Sequence, residues 1–102
     1  MYSIKLLPAA RKDIKEIKTY IKYNLKNPRA AEKLINKIYK EFQYIQIFPY
    51  SNVKSDIKNK SNVYWYAIVK KHCIFYTIDL DSKTIIISRI LLFKRNLEKV
   101  LL

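Results

Sequence analysis

The chain has one histidine and one cysteine, and they are neighbours, His72 and Cys73. A thiol beside an imidazole is the minimum equipment of a Cys–His nucleophile. The surrounding run, HCIFYTID (72–79), is β-type, and adjacent strand residues point to opposite faces. The spacing therefore predicts a buried, inert thiol and a partly exposed histidine at a turn, not a dyad. His72 is still the one side chain whose ordinary pKa lies near neutrality. No metal centre is expected, because one histidine, one cysteine and scattered acids lack ligand spacing. No nucleotide cofactor is expected either. A P-loop and a GxGxxG turn both need glycine, and the chain has none. Tyr64, Tyr66 and Tyr76 alternate along strand-like runs, as base-stacking rings or as core aromatics would. Arg89 stands in KTIIISRILL, where simple alternation puts it on one face with Ile85, Ile87 and Leu91. A charge on an apolar face wants a partner, and either Asp79 or Asp81 across the sheet or an external polyanion would serve.

These residues need elements to hold them. YSIKLL (2–7) is a short β run, and Pro8 suits the first turn of a helix. From Ala9 to about Leu25 the period is helical, with Ala10, Ile14, Ile17, Ile21 and Leu25 on one face. Beside that face runs a basic stripe of Arg11, Lys15, Lys18, Lys22 and Lys26. Asn27-Pro28 marks a second start, Asn as N-cap and Pro as first helical residue. The second helix is expected from Pro28 to about Ile47, burying Ala31, Leu34, Ile35, Ile38, Phe42 and Ile45. Lys33, Lys37 and Lys40 lie away from that face, and Pro49 stops the helix. The short link predicts an antiparallel hairpin. Residues 50–62 are polar and read as a loop. VYWYAIVK (63–70), HCIFYTID (72–79) and KTIIISRILL (83–92) read as strands, and FKRNLEKVLL as a short helix. The order is β-α-α-β-β-β, an α+β fold with a helical hairpin on a mainly antiparallel four-stranded sheet.

Composition bounds the function. The 102 residues suffice for one domain spanning 1–102. Half are apolar, which argues against disorder. The single cysteine rules out an intramolecular disulfide framework. No apolar run is long enough to span a membrane, and the N-terminus lacks an export segment, so a cytoplasmic location is expected. Lys and Arg total 21 against 8 Asp and Glu, a formal charge of +13. The excess is shared by both halves, so no basic tail explains it. A folded domain this positive meets a polyanion or an acidic protein, unless a Lys-rich coding bias alone inflates the number.

With this order in place, LLPAARKDIKEIKTYI, NPRAAEKL and the FP at 48–49 resemble the ParE branch of the RelE/ParE toxin superfamily. VYWYAIVKKHCIFYTID and IISRILLFKRN fit that pattern too, so the resemblance covers nearly the whole chain. It implies the toxin half of a type II toxin–antitoxin pair and a cognate antitoxin as partner. Two mechanisms divide the superfamily. One branch cleaves mRNA on the ribosome; the other poisons DNA gyrase. RNA cleavage by the 2′-hydroxyl needs a base, an offset for phosphate charge and a proton for the leaving oxygen. In the cleaving branch, Lys and Arg on the sheet and a C-terminal aromatic supply these. At the matching positions this chain has Tyr64, Tyr66 and Cys73, none of them a cation, and its tail has no tyrosine. The basic pair after the last strand survives as Lys94-Arg95, and with His72 it would make a minimal site. The ParE branch usually has an arginine where Trp65 stands, whereas Arg89 matches. The resemblance thus favours a non-catalytic gyrase-binding toxin, with Arg89, Arg11, Lys15, Lys18 and Lys22 as candidate target- or antitoxin-binding residues. An mRNA interferase using Arg95, Lys94 and His72 is the alternative. An inactive descendant that keeps only antitoxin binding is a third.

Overall fold

The computed structural model describes residues 1–59 and 62–93, with the side chains of 56–62 left aside. Its elements are β1 (Ser3–Leu6), α1 (Pro8–Thr19), a π-helical turn (Tyr20–Asn24), α2 (Pro28–Ile47), β2 (Val53–Asn59), β3 (Asn62–Val69), β4 (His72–Asp79) and β5 (Thr84–Leu92). The sheet runs in the order β1-β5-β4-β3-β2. β1 pairs with β5 in parallel, and every other pair is antiparallel. The fold is the expected α+β class, but the sheet has five strands, not four. The extra strand, β2, lies where a loop was expected. Its sequence, VKSDIKN, carries the charges and small polar groups with which edge strands avoid pairing to other chains. Those groups hide it from a search for apolar alternation. The FKRNLEKVLL segment expected to form a short helix lies, after Phe93, outside the described residues.

α2 begins and ends as its sequence predicts. Asn27 Oδ1 accepts a hydrogen bond from the Ala30 N–H at 3.1 Å, and Pro28 opens the helix. The first helix departs from expectation. It gives way to a π turn at Tyr20, where the Leu25 N–H reaches back five residues to the Tyr20 carbonyl at 3.2 Å. The wider turn rotates the residues after it, so Leu25 is 56% exposed instead of joining the buried stripe. The chain then turns through Lys26 at φ 50°. Lys70 and Lys83 also hold left-handed backbone, at φ 57° and 51°. Glycine usually takes such positions, and a side chain there costs about 1 kcal/mol.

One core joins the helices to the sheet. Ala10 and Ile14 of α1 and Ile38, Phe42 and Ile45 of α2 pack on Ala67, Val69, Ile74, Tyr76, Ile85, Ile87 and Ile90. Each buried isoleucine contributes about 1.5–3 kcal/mol relative to exposure. Two polar ties fix the far end of α2. Tyr2 and Gln46 are joined by a 3.0 Å backbone bond and by the Gln46 Nε2 donor on the Tyr2 carbonyl at 3.0 Å. The fully buried Tyr76 hydroxyl donates to the Pro49 carbonyl at 2.7 Å and accepts from Asn52 Nδ2 at 3.1 Å. Tyr76→Phe leaves both partners without their bond, and a loss of about 1–2 kcal/mol is expected in urea unfolding. A change under about 0.3 kcal/mol would show that water replaces the hydroxyl.

Candidate functional site

Cross-strand partners project to the same side of a sheet. Val69, His72, Ile74, Tyr76, Ile87 and Ile90 belong to the helix-covered side. Tyr64, Tyr66, Cys73, Phe75 and Leu91 form a separate cluster on the other side, with no helix residue in it. The positions matching the cations of the RNA-cleaving branch, Tyr64, Tyr66 and Cys73, therefore do come together, but as an apolar cluster. Cys73 is 1% exposed, Phe75 2% and Tyr64 7%, and the Tyr66 and Phe75 rings pack at 5.9 Å. Burial pushes the Cys73 thiol above its ordinary pKa, which keeps it protonated and a poor nucleophile.

Arg89 is placed differently from its sequence reading. A bulge in β5 leaves Ser88 without a partner between Ile87, opposite Tyr76, and Arg89, opposite Phe75. The extra residue reverses the alternation. Arg89 stays in register with Leu91 but leaves the side that holds Ile85 and Ile87. Nor does it pair with Asp79 or Asp81. Asp79 instead accepts from the Asp81 and Ser82 backbone N–H groups at 3.1 and 3.4 Å, within the β4–β5 turn. The partner of Arg89 is Asp13 of α1. Nε lies 2.8 Å from Oδ2 and Nη2 lies 3.0 Å from Oδ1, a two-pronged pair. Oδ2 also accepts the Ile90 backbone N–H at 2.9 Å. The hydrogen bond to Asp13 raises the Arg89 pKa further, against the opposing effect of burial. Asp13 is 6% exposed, and sequence reasoning missed it. Its signal was an acid inside the apolar stripe, three residues after Ala10 and one before Ile14.

Residues 4–97 match the model of the ParE toxin of type II toxin–antitoxin systems, parDE. The chain belongs to the ParE toxin family. Its fold is similar to that of a chain from the chromosomal ParDE toxin–antitoxin system of P. aeruginosa, with a TM-score of 0.73 at 18% identity over 92% of this chain and 98% of that one. It is also similar to a chain of the RelBE2 toxin–antitoxin complex of Mycobacterium tuberculosis, with a TM-score of 0.55 at 15% identity over 89% and 96% of the two chains. No curated protein sequence matches it.

The remaining candidates of this ParE-family toxin are spread over its surface. Arg11, Lys15, Lys18 and Lys22 are all exposed or partly exposed along α1 and the π turn. Lys12 and Glu16 form an ion pair there at 3.9 Å, which is exposed on both sides and contributes little. Lys22 stands 5.3 Å from the centre of the Tyr23 ring. Asp13 faces inward from the same helix, so the Arg89 pair fixes how the basic flank is presented. Trp65, at the position usually arginine in the ParE branch, packs edge-on to Tyr50 at 5.4 Å. Lys94 and Arg95 lie outside the described residues. Among the described residues no three His, Cys, Asp or Glu side chains gather as metal ligands. None of the described helices is long and apolar enough to cross a membrane.

His72 is 8% exposed, so it is not the partly exposed turn residue its sequence position suggested. Its register with Val69 and Leu92 turns it to the side opposite Cys73. Among the described residues its Nδ1 has no hydrogen-bond partner. Burial lowers its pKa below the ordinary value. The unfolded chain therefore takes up a proton near pH 6.5 while the folded one resists. The His72 contribution is fully present above that pH and is lost as the pH falls through the window between the unfolded and folded values. Urea unfolding of the parent at about pH 5 and pH 7 is expected to show this loss, and His72→Gln to reduce it. An unchanged slope in the variant would contradict the assignment.

Proposed function

We propose that this toxin stops growth by binding DNA gyrase, without catalysis, in the cytoplasm, and that a cognate antitoxin neutralises it. The observation that carries this reading is the apolar packing of Tyr64, Tyr66 and Cys73, where RNA cleavage would need cations. A 2′-hydroxyl attack leaves charge on a phosphate, and this cluster offers phenols, a protonated thiol and hydrocarbon. Arg89, the nearest cation in register, is already matched by the Asp13 carboxylate. Binding makes no such demand. A row of four cations on a helix fixed to the sheet presents a rigid charged edge to a large target.

The test uses purified toxin and gyrase. The toxin is expected to inhibit supercoiling, and Lys15→Glu with Lys18→Glu to raise the concentration required by about tenfold, since charge reversal at an interface costs more than neutralisation. Unchanged supercoiling at toxin concentrations that stop growth would contradict the reading. RNA cuts on ribosomes that vanish with Arg95→Ala would replace it with the interferase reading.

A further inference from the structure

A second basic surface lies away from the α1 flank. Lys37, Lys40, Glu41 and Tyr44 of α2 form an open groove with Ile68 and Val69 at the end of β3. Lys70 follows in the β3–β4 turn, on left-handed backbone that a glycine would take without strain. The turn brings Lys70 near Lys37, and this neighbour lowers the Lys37 pKa below its ordinary value. Two ammonium groups so close repel, and the charge of Lys33 adds to the repulsion. Glu41, the one acid in the groove, makes no ion pair among the described residues. The arrangement stores unfavourable charge that an anion between Lys37 and Lys70 would relieve.

The geometry points to the phosphate backbone of duplex DNA as the occupant of this groove. Lys33, Lys37 and Lys40 lie on one side of α2, and at about 1.5 Å per residue they span about 10 Å. One strand of B-DNA carries a phosphate every 3.4 Å or so along its axis, so the row matches about three phosphates. Lys70 adds a cation from the sheet side, and the half-exposed Tyr44 offers a hydroxyl donor. A single strand fits less well, because it needs successive rings for stacking and the groove has one. The inference deepens the gyrase reading, on which it rests for its setting, since the duplex would be the segment gyrase holds.

The test measures binding of a fluorescent duplex of about 20 base pairs to the full chain across a salt series. Lys37→Gln with Lys70→Gln is expected to weaken binding about tenfold. It should also flatten the slope of log affinity against log salt by about 1.8, two lost phosphate contacts. Lys5→Gln with Lys12→Gln removes the same charge elsewhere and is expected to weaken binding less than threefold, with the slope unchanged. All four are surface changes, and matching thermal midpoints would confirm that both variants fold. Equal losses in the two variants would overturn the site, because the charge would then act as a diffuse field. A single strand bound more tightly than the duplex would overturn the choice of occupant. Site-specific duplex binding without gyrase inhibition would leave the groove standing and remove the gyrase reading instead.

Discussion

Asp13→Ala is expected to lower the unfolding free energy by about 3 kcal/mol. Three hydrogen bonds end on this carboxylate, two from Arg89 and one from the Ile90 backbone. Its side chain is 7% exposed and that of Arg89 is 28% exposed. Removing one partner of a buried pair costs about 3–5 kcal/mol, because the other charge is left without compensation. The lower end applies here, since Arg89 keeps some access to water. Arg89→Met is expected to cost at least as much, because the carboxylate it leaves behind is the more buried charge and keeps only the Ile90 N–H. A small domain has only about 5–15 kcal/mol of stability, so Asp13→Ala consumes a large share. Urea unfolding of both single variants and the double variant measures the coupling directly. A coupling near zero would mean that α1 is held on β5 by apolar contacts alone.

Cys73→Arg is expected to be worse, at about 4 kcal/mol or more. Arginine at this position would restore a cation of the RNA-cleaving branch, yet the site is 1% exposed and lies among Tyr64, Phe75, Tyr66 and Leu91. A guanidinium there loses its water and finds no acid, and it is far larger than a thiol. Cys73→Ala, which removes one sulfur, is expected to cost about 1 kcal/mol. Urea unfolding of the two variants checks the contrast. If Cys73→Arg folds with near-parental stability, the cluster has room for a charge, and the main objection to catalysis on this face falls.

Much of the fold is legible in the sequence because it rests on local signals. Asn27-Pro28 and Pro49 bracket α2, and the isoleucine-rich and aromatic runs mark β3, β4 and β5. Three features escape because they depend on their surroundings. β2 is a strand by pairing with β3, not by apolar content. The π turn at Tyr20–Asn24 has no composition of its own, and it removes Leu25 from the buried stripe. The Ser88 bulge reverses alternation halfway along β5, so period-two reasoning sends Arg89 to the wrong side and toward the wrong acid. At the site, the absence of cations at Tyr64, Tyr66 and Cys73 is readable from the sequence. That these residues pack together, and that Asp13 matches Arg89, emerges only from register and helix placement.

The central proposal is that the toxin acts on gyrase and does not cut RNA. Its most direct test is expression of the chain in a bacterium without its antitoxin, with plasmid topology and mRNA 5′ ends read from the same culture. Altered plasmid supercoiling and a DNA-damage response are expected, while mRNA stays intact. Discrete in-frame mRNA ends with normal topology, lost on Arg95→Ala, would contradict the proposal.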